Sequence, residues 1–565
     1  MRWTLSQNPN QEKVNEITNC LSVDKIIAKL LVQRGIDTFE KARLFFRPSL
    51  DDLHNPYLMK DMDKAIDRIE KAIFENEKIL IYGDYDVDGT TAVSLVHSYF
   101  QTFYPNTSTY IPDRYSEGYG ISTKGIDFAE NNGFSLIIAL DCGIKSHDKI
   151  DYAKSKNIDF IIADHHLPDA EIPKAVAVLD PKRKDCNYPY KELCGCGIGF
   201  KIIQALAKKR GQNPQDLISY LDLVATAIGA DIVPITGENR ILAKFGLEVI
   251  NTNPRNGIKA LIHNLKKQVL TITDVVFIIA PRINAAGRMK HGNYAVQLLT
   301  EFHWEQALEF ASEIELFNSE RKELDEQTTK EALLQITKTQ QENLFTTVVF
   351  SENWHKGIIG IVASRLIETH YKPTLVFTEG NEKMVASARS VKNFDIHKAL
   401  EECSHFIEQF GGHKYAAGLT ISKEKFTDFR NRFEEVVKNT ITEASLHPEI
   451  SIDVVIDFSD ITPKFVRILK QFEPFGPENM PPVFLTQSVR DAGSCKKIGK
   501  NEEHLKMFVK QDGSISFNAI GFGLGEKMEV VKNQKYFDMV YSIDENHWDG
   551  NVTLQLKVKD LSEKF

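Results

Sequence analysis

Residues 78–92 read KILIYGDYDVDGTTA, and this stretch decides how the rest of the chain is interpreted. An apolar run at 79–81 is followed by three carboxylates, Asp84, Asp86 and Asp88, and then by glycine, threonine and an apolar helical pattern. A short apolar run that leads through a polar turn into a helix predicts a parallel β-strand and its βα loop. In open α/β sheets, ligands bind beside such loops, at the carboxyl ends of the strands.

Three carboxylates within five residues repel one another unless a positive group neutralises them. Mg²⁺ and Mn²⁺ do this well because they prefer oxygen ligands. A solvated acidic turn is the alternative for this stretch taken alone. A calcium-binding EF-hand loop is excluded, because it requires a glutamate at its twelfth position and counting from Asp84 or Asp86 reaches Leu95 or His97.

Later stretches repeat the pattern of an apolar run that ends in acidic or histidine residues. We expect each of them to be a strand whose end lies at the same edge of one sheet, which packing alone would hardly produce. The pattern therefore predicts a metal site. The stretches are SLIIALDCGI (135–144, with Asp141), IDFIIADHHLP (158–168, with Asp164, His165 and His166) and LVATAIGADIVP (223–234, with Asp231).

The residue types in this pattern indicate which metal would bind. Carboxylates and one histidine without cysteine favour Mn²⁺ or Mg²⁺ over structural zinc. The number of ligands predicts two ions. Two ions would place and activate a water molecule and stabilise the leaving oxygen of a phosphoryl displacement.

The bulk properties bound the class of protein. A chain of 565 residues is long enough for three or four domains. The formal net charge of −9 argues against a wholly basic surface but leaves room for a local nucleic-acid site, since the acidic metal site contributes to the total. The seven cysteines include no CxxC pair, no apolar run is long enough to span a bilayer, and the amino terminus has no signal-peptide core. We expect a soluble, cytoplasmic, multidomain protein.

The blocks GDYDVDG, LDCG, DHH and GAD, in this order, resemble the DHH phosphoesterase superfamily. The neighbouring blocks RYSEGYG, PRINAAGRM and FGGHKYAAG resemble its RecJ branch of single-strand-specific exonucleases, and the resemblance covers nearly the whole chain. It implies a supporting place in the site for Asp84 and a contact with the phosphate for His166. The metal-ligand positions that it implies are Asp86, Asp88, Asp141, His165 and Asp231.

Further motifs carry groups suited to holding a nucleic-acid backbone, and the resemblance favours that role over surface or packing roles. Arginine can fork onto a phosphate, and paired glycines let the backbone approach a ligand closely. We expect residues 280–289 to form a turn between helices. The candidates are Arg114 in PDRYSEGYG (112–120), Arg282, Asn284 and Arg288 in APRINAAGRM (280–289), Ser387 and Arg389 in MVASARS (384–390), and Gly411, Gly412 and His413 in QFGGHKYAAG (409–418).

One glycine-rich motif is assigned to packing. Residues 194–199 read CGCGIG and precede a helical pattern. No strand precedes them, so a dinucleotide-binding loop is a poor interpretation. Close packing of the helix is the better one.

Helical and β patterns alternate from about 60 to 240, which predicts a doubly wound parallel sheet. The fold class is therefore α/β: a parallel-sheet DHH catalytic domain, a long helix near residues 305–339, a smaller α/β DHH-associated domain and a C-terminal all-β OB-fold. The predicted bounds are 1–55 for an N-terminal helical appendage, 56–245 for the catalytic domain, 246–340 for a helical connector, 341–445 for the DHH-associated substrate-binding domain and 446–565 for the OB-fold.

Lysines and aromatics in the last segment could form a stacking groove for single strands. Some of the aromatics must belong to the core. We expect Phe508 to be buried and Trp548 to be exposed. The residues concerned are Lys496, Lys497, Lys500, Lys506, Lys510, Phe508, Phe517 and Trp548.

Together these features predict a metal-dependent exonuclease that degrades single-stranded DNA from a 5′ end, releases 5′-mononucleotides and acts in DNA repair and recombination. The polarity and the preference for DNA follow from the resemblance alone. The resemblance also suggests a single-strand-binding protein and a RecQ-type helicase as partners of a monomer without membrane association.

Two alternatives stay open. One is a DHH phosphodiesterase of short oligonucleotides or cyclic dinucleotides; the C-terminal β domain and the chain length count against it. The other is a non-catalytic, Cdc45-like DNA-binding scaffold. The complete acidic set counts against that alternative.

Overall fold

A computed structural model describes residues 1–380, 383–532, 535–548 and 551–563. The chain divides into two compact units. Residues 5–315 and 451–565 form the larger unit, and residues 1–4 and 316–450 form the smaller unit. Within the described residues, no helix is both long enough and apolar enough to cross a membrane.

A five-stranded sheet, parallel throughout, is the centre of the larger unit. Alternate residues face opposite sides: Leu80 and Tyr82 belong to a core cluster with Ile126 and Ile150, whereas a Cβ at Gly83 would meet Val93 on the other side. Because both faces are covered, the strands read as continuous apolar runs. The predicted parallel sheet is confirmed. In spatial order its strands are β3 (Thr107–Tyr110), β2 (Lys78–Gly83), β4 (Phe134–Leu140), β5 (Asp159–Ala163) and β6 (Ala177–Leu179).

Helices cover this sheet and extend beyond it. A π-helical segment, Val275–Ile279, joins two of them. The helices are α1 (Gln11–Leu21), α2 (Lys25–Gln33), α3 (Phe39–Phe46), α4 (Met62–Phe74), α5 (Val87–Gln101), α6 (Thr123–Asn131), α7 (His147–Ser155), α8 (Gly195–Lys209), α9 (Leu221–Ala230), α10 (Gly237–Thr252), α11 (Asn256–Ile262), α12 (Ile272–Asp274), α13 (Ala280–Met289) and α14 (Asn293–Thr300).

Two sequence predictions in this region are wrong. The apolar run before Asp231 is helix α9, not a strand. Because residues 221–229 are buried on every side, their largely apolar sequence shows neither the helical nor the strand period. Residues 280–289 form helix α13 rather than a turn. Its proline lies in the first turn, where a missing N–H is tolerated, and its small residues permit close packing.

The C-terminal part of the larger unit is a β-barrel. Five strands close on one another, because the strand Phe484–Asp491 pairs with both Phe537–Trp548 and His504–Lys510. This architecture confirms the predicted OB-fold. The strands are β13 (Val454–Val455), β14 (Phe484–Asp491), β15 (Lys496–Ile498), β16 (His504–Lys510), β17 (Phe517–Gly521), β18 (Phe537–Trp548) and β19 (Asn551–Ser562), accompanied by helices α19 (Pro463–Lys470) and α20 (Met528–Val531).

The N-terminal helices share the core of this barrel. Val14 of α1 and Leu31 of α2 are fully buried in one cluster with Phe465 and Phe484. Strand β16 alternates so that Phe508 faces outward at 39% exposure, which contradicts its predicted burial, whereas Phe517 is buried. The side chain of Trp548 lies outside the described residues.

The smaller unit has a mixed five-stranded sheet. Only β7 and β8 run parallel. Helix α15 (Trp304–Lys338) confirms the predicted long helix, and its residues are divided between the two units at Glu315 and Leu316. The strands in spatial order are β10 (Gln409–His413), β11 (Ala416–Ile421), β9 (Lys383–Arg389), β8 (Thr374–Gly380) and β7 (Thr347–Phe350), with helices α16 (Ile359–Thr369), α17 (Ile396–Glu401) and α18 (Phe426–Thr440).

Two features bear on the domain limits. Helix α10 crosses the proposed limit between 245 and 246, and residues up to Glu315 belong to the larger unit. Strand β1 (Arg2–Leu5) pairs with β12 (Glu449–Ile452) in a separate two-stranded sheet. The exact limits of the five predicted domains stay a prediction.

Candidate metal centre

The first acidic loop connects β2 to α5. Asp84 is fully buried directly after the strand. Asp86 is the N-cap of α5, and its Oδ1 accepts a hydrogen bond of 3.0 Å from the Gly89 N–H. Asp88 therefore lies in the first helical turn, where the helix dipole favours a negative charge. A Cβ at Gly89 would be 2.4 Å from the Asp84 carbonyl oxygen, so this close approach requires glycine.

Asp88 is held by the amino terminus of another helix, α8. The Gly195 and Cys196 N–H groups donate hydrogen bonds of 2.6 and 2.7 Å to its two carboxylate oxygens. A Cβ at Gly195 would be 2.5 Å from Cβ of Asp141. The glycine-rich segment thus orients one acid and makes room for another. Close packing was the predicted role of this segment; its contact with Asp88 was not predicted, although a glycine-rich helix start is a recognisable anion-binding signal.

Four predicted ligands meet at one imidazole nitrogen. Nε2 of His165 lies 3.2 Å from Oδ1 of Asp141, 3.6 Å from Oδ2 of Asp231 and 3.8 Å from Oδ2 of Asp88. Asp141 follows β4 in a left-handed conformation with φ of 59°, and its N–H donates to the Ala163 carbonyl. Asp231 arrives from the end of α9 and remains 29% exposed at its side chain.

His166 points to a different partner. Its Nδ1 donates a hydrogen bond of 2.7 Å to Oδ1 of buried Asp164, and its Nε2 lies 3.0 Å from the hydroxyl oxygen of Tyr119. Asp164 also accepts hydrogen bonds from the N–H groups of Ile144 and His165. The sequence marks Asp164 only as the acid that ends a strand. Its role as the partner of His166 depends on a distance that the sequence does not contain.

Burial and mutual repulsion make the cluster acids hold protons tightly. Burial, reinforced by the neighbouring charge of Asp86, raises the pKa of Asp88 to about 6. Burial and then Asp88 raise the pKa of Asp231 to about 8. The pKa values of Asp84 and Asp141 lie well above their ordinary range for the same reasons. A cation in the cluster would remove both penalties.

The neighbouring Asp164–His166 pair shows the opposite pattern, because each partner stabilises the charged form of the other. Burial favours a raised pKa for Asp164, but the hydrogen bond and positive charge of His166 lower it to about 2. Burial favours a lowered pKa for His166, but Asp164 raises it to about 9. The pair is therefore ionised at neutral pH.

The donor atoms fit a hard divalent cation. Asp88, His165 and Asp231 form one group, and Asp141, His165 and His166 form another, in which the potential ligand atoms lie within 4.8 Å of one another. Oδ2 of Asp84 is buried without a hydrogen-bond donor among the described residues. Oxygen and imidazole donors without a thiolate are the ligand chemistry of Mn²⁺ or Mg²⁺.

Arg114 and helix α13, which carries the other predicted substrate residues of the larger unit, lie against the first acidic loop. The Arg114 guanidinium lies 4.8 Å from the ring of Tyr85, and the Tyr115 hydroxyl donates to the Arg288 carbonyl. A Cβ at Gly287 would be 2.5 Å from the Tyr85 carbonyl oxygen, so α13 packs directly on the loop. On α13, Arg282 pairs with Glu315 at 2.6 Å, and Asn284 is partly exposed one turn before Arg288.

The remaining candidates lie together on the sheet of the smaller unit. Ser387 and Arg389 occupy β9, and Nη1 of Arg389 donates to Oγ of Ser387 at 3.2 Å. Across β11, Gly418 is paired with both Ser387 and Gly411, and Ala416 with both Arg389 and His413. Directly paired residues share a face, so Ser387, Arg389 and His413 lie on the same side of the sheet.

Gly411 and Gly412 differ in their surroundings. A Cβ at Gly412, whose φ is 143°, would be 2.4 Å from the Ala416 carbonyl oxygen. Gly412 is therefore required by the turn into β11. Within the described structure, nothing lies within 4 Å of a Cβ at Gly411.

Three family models match successive parts of the chain. The DHH family N-terminal domain matches residues 78–228. The DHHA1 domain matches residues 341–439, and the RecJ OB domain matches residues 452–560.

Solved structures share this fold. RecJ of Thermus thermophilus in complex with Mn²⁺ has a TM-score of 0.84 at 24% identity, with 99% of this chain and 79% of that chain covered. A second structure, of exonuclease RecJ bound to manganese, has a TM-score of 0.60 at 27% identity over 69% of this chain and 98% of that chain.

Curated relatives match over nearly the full length. The single-stranded-DNA-specific exonuclease RecJ of Bacillus subtilis is 38% identical, with 99% of this chain and 70% of the relative covered. The protein of the same name from Salmonella typhimurium is 32% identical, with 89% of this chain and 90% of the relative covered. The chain therefore belongs to the RecJ family of the DHH proteins.

Proposed function

We propose that this protein is a metal-dependent exonuclease that hydrolyses single-stranded DNA. The observation that carries the proposal is the convergence of Asp88, Asp141 and Asp231 within 3.8 Å of the His165 imidazole. Relatives that match over the chain's length are named single-stranded-DNA-specific exonucleases, which supports the substrate class.

We assign the metal ligands to Asp86, Asp88, Asp141, His165 and Asp231, which would hold two ions. The manganese and magnesium found in similar RecJ structures support this cofactor. When bound, Mn²⁺ or Mg²⁺ supplies Lewis acidity that activates water at neutral pH and stabilises charge on a phosphoryl oxygen. The protein side of the reaction is to fix these five side chains.

His166 is assigned to the phosphate. Because Asp164 raises its pKa to about 9, the imidazole keeps both protons at neutral pH. One proton is used in the hydrogen bond to Asp164, and Nε2 remains to donate toward a phosphate oxygen or to the Tyr119 hydroxyl. Asp84, buried beneath the loop, is assigned a supporting role.

The substrate backbone is assigned to two sets of residues. Arg114 lies beside Tyr85 of the first acidic loop, and α13, which packs on that loop, carries Arg282, Asn284 and Arg288. A guanidinium can bind a phosphate through two parallel hydrogen bonds. In the smaller unit the set is Ser387, Arg389, Gly411, Gly412 and His413 on the paired strands β9, β11 and β10.

On the family resemblance we also propose 5′-to-3′ polarity, release of 5′-mononucleotides and a role in DNA repair and recombination. A single-strand-binding protein and a RecQ-type helicase are the proposed partners. The enzyme is proposed to act as a cytoplasmic monomer.

A long DNA single strand labelled at one end or the other tests the proposal. With Mn²⁺ or Mg²⁺, mononucleotides should appear at once from the 5′ label, and EDTA or a blunt duplex should prevent their release. Cleavage confined to di- to pentanucleotides would favour an oligonucleotide phosphodiesterase. Binding without cleavage would favour a scaffold.

A further inference from the structure

The residue after Asp231 has a strained backbone. Ile232 has φ of 59° and is 64% exposed. A β-branched residue in the left-handed region is a conformational outlier that persists only where the surrounding structure enforces it. The position of the Asp231 carboxylate depends on the backbone that precedes it and on the backbone that follows it. Contacts that fix residues 232–235 therefore also help to fix this carboxylate.

Two side chains hold the loop from within the parallel-sheet region. The Pro234 carbonyl accepts hydrogen bonds from the Tyr190 hydroxyl at 3.2 Å and from Nδ2 of Asn239 at 3.1 Å. Tyr190 also lies 3.2 Å from the Thr236 hydroxyl. These hydrogen bonds fix the loop at Pro234 and Thr236.

A third contact comes from the C-terminal part of the chain. The N–H of Ile235 donates a hydrogen bond of 2.9 Å to the carbonyl of Pro477. Ile235 is 1% exposed, and a Cβ at Gly476 would lie 2.4 Å from its Cγ1. The backbone and the side chain of Ile235 thus both contact the turn that contains Gly476 and Pro477.

That turn, residues 474–480, is held by hydrogen bonds within itself and precedes the first long strand of the barrel. The Gly476 and Asn479 backbones exchange two hydrogen bonds of 3.1 and 2.9 Å. Nδ2 of Asn479 donates to the carbonyls of Phe472 and Pro474, and Asn479 is 1% exposed. The strand β14 begins at Phe484, a few residues later.

We propose that the 474–480 turn positions the metal ligand Asp231, with Gly476, Pro477 and Ile235 as positioning residues. The inference rests on the proposed metal-binding role of Asp231. The barrel segment then has a second task besides any contact with nucleic acid: it completes the geometry of the metal centre. A turn that merely attaches the barrel would leave metal affinity unchanged when it is altered.

The test measures Mn²⁺ binding by calorimetry on the full-length, metal-stripped protein. Gly476→Ala places a methyl group 2.4 Å from Cγ1 of the buried Ile235, so either this side chain or its loop must move. We expect the affinity of one ion to weaken by about 10–100-fold, the usual effect of disturbing residues that support a ligand. The double variant Gly476→Ala/Ile235→Ala removes the colliding Cγ1 and should recover most of the affinity.

Two further variants separate positioning from general instability. Val509→Ala makes a cavity in the barrel core, where Val509 is fully buried, and should leave Mn²⁺ affinity unchanged. Asn479→Ala removes the two hydrogen bonds that hold the turn and a third that Oδ1 of Asn479 accepts from Nε of Arg34. It should weaken Mn²⁺ binding and serves if Gly476→Ala does not fold. Circular dichroism confirms the fold of each variant.

The failure of each proposal has its own signature. Asp231→Asn should weaken Mn²⁺ binding; if it does not, the assigned ligand is wrong. If Asp231→Asn weakens binding but folded Gly476→Ala and Asn479→Ala bind Mn²⁺ as the parent protein does, the positioning role is overturned. Equal losses in these variants and in Val509→Ala would overturn it as well.

Discussion

His166 donates a hydrogen bond of 2.7 Å from Nδ1 to Oδ1 of Asp164, a side chain that is 1% exposed. A buried carboxylate without a cation beside it would be costly, and so would a buried imidazolium. Paired, the two remain charged, and the pKa of His166 rises to about 9. The hydrogen bond thus decides both the orientation and the charge of the imidazole.

Asp164→Asn should shift the pH dependence of hydrolysis. Without the carboxylate charge, the pKa of His166 should fall from about 9 towards its ordinary value of about 6.5. If the protonated imidazole meets the phosphate, the rate should then decline above about pH 7 instead of above about pH 9. Asp169→Asn, at an exposed acid nearby, is the matched control and should keep the parent profile. An unchanged alkaline limb in Asp164→Asn would contradict the role of the pair.

Thermal unfolding without divalent cations should depend on pH. The folded pKa values of Asp88 and Asp231, about 6 and about 8, exceed the unfolded value of about 3.9. The stability from their protonation is complete below the unfolded pKa and is lost as pH rises through 6 and then 8. In EDTA, Tm should therefore fall between about pH 4 and about pH 8, and added Mn²⁺ should raise Tm most at the higher pH. Asp231→Asn should make the decline of Tm shallower at the higher pH values. A Tm that does not change with pH in EDTA would contradict this explanation.

Asp141→Asn should separate catalysis from folding. Asparagine tolerates the left-handed backbone at this position, where φ is 59°, but it lacks the charge. We expect hydrolysis to drop by about 10⁴-fold or more, with little change in the free energy of unfolding. Asp141→Ala should lose activity equally but be less stable than Asp141→Asn by about 1 kcal/mol, because alanine is strained there. Metal-dependent activity in a folded Asp141→Asn protein would refute the assignment.

Arg240 should contribute more to the free energy of unfolding than an arginine on the surface does. Its guanidinium is buried, lies 3.8 Å from the Phe45 ring and donates to five carbonyls, those of Phe45, Gln471, Phe472, Glu473 and Pro474. Burial lowers its pKa to about 10.

Arg240→Ala should therefore reduce the free energy of unfolding in urea by about 3 kcal/mol or more, since the carbonyls lose their donors. Arg240→Lys should be more stable than Arg240→Ala but less stable than the parent protein, because an ammonium group cannot reproduce the planar set of donors of the guanidinium. Arg43→Ala, at an exposed ion pair that water screens, should cost far less than Arg240→Ala. Equal losses at the two arginines would contradict this account.

The strand ends of the site were predictable because each combines a short apolar run with a polar stop. Asp84, Asp141 and His165 follow β2, β4 and β5 in this way. The alternation in β16 was equally readable: Leu505, Met507 and Val509 are buried, so Phe508 had to face outward. Phe508 was predicted to be buried because it is hydrophobic, although the alternation of the strand predicts that it is exposed.

What could not be predicted depends on tertiary contacts. An apolar run such as the one before Asp231 fits a buried helix and a buried strand equally well. The hydrogen bond from Gly195 to Asp88 joins residues 107 positions apart, and nothing in the sequence pairs these two. Asp164 and His166 are two positions apart, but that spacing alone does not show that their side chains form a hydrogen bond. Arg240 reads as an ordinary exposed arginine until its five carbonyl partners are known.

The shared core of the N-terminal helices and the barrel has a consequence during synthesis. Leu31 and Phe484 belong to one cluster, yet they are separated by 453 positions, the difference between 484 and 31. At about 5–20 residues per second, the ribosome needs roughly 20–90 seconds to make the second after the first. For that interval the apolar faces of α1 and α2 lack their partner. Nascent chains halted before residue 451 should therefore be clients of chaperones.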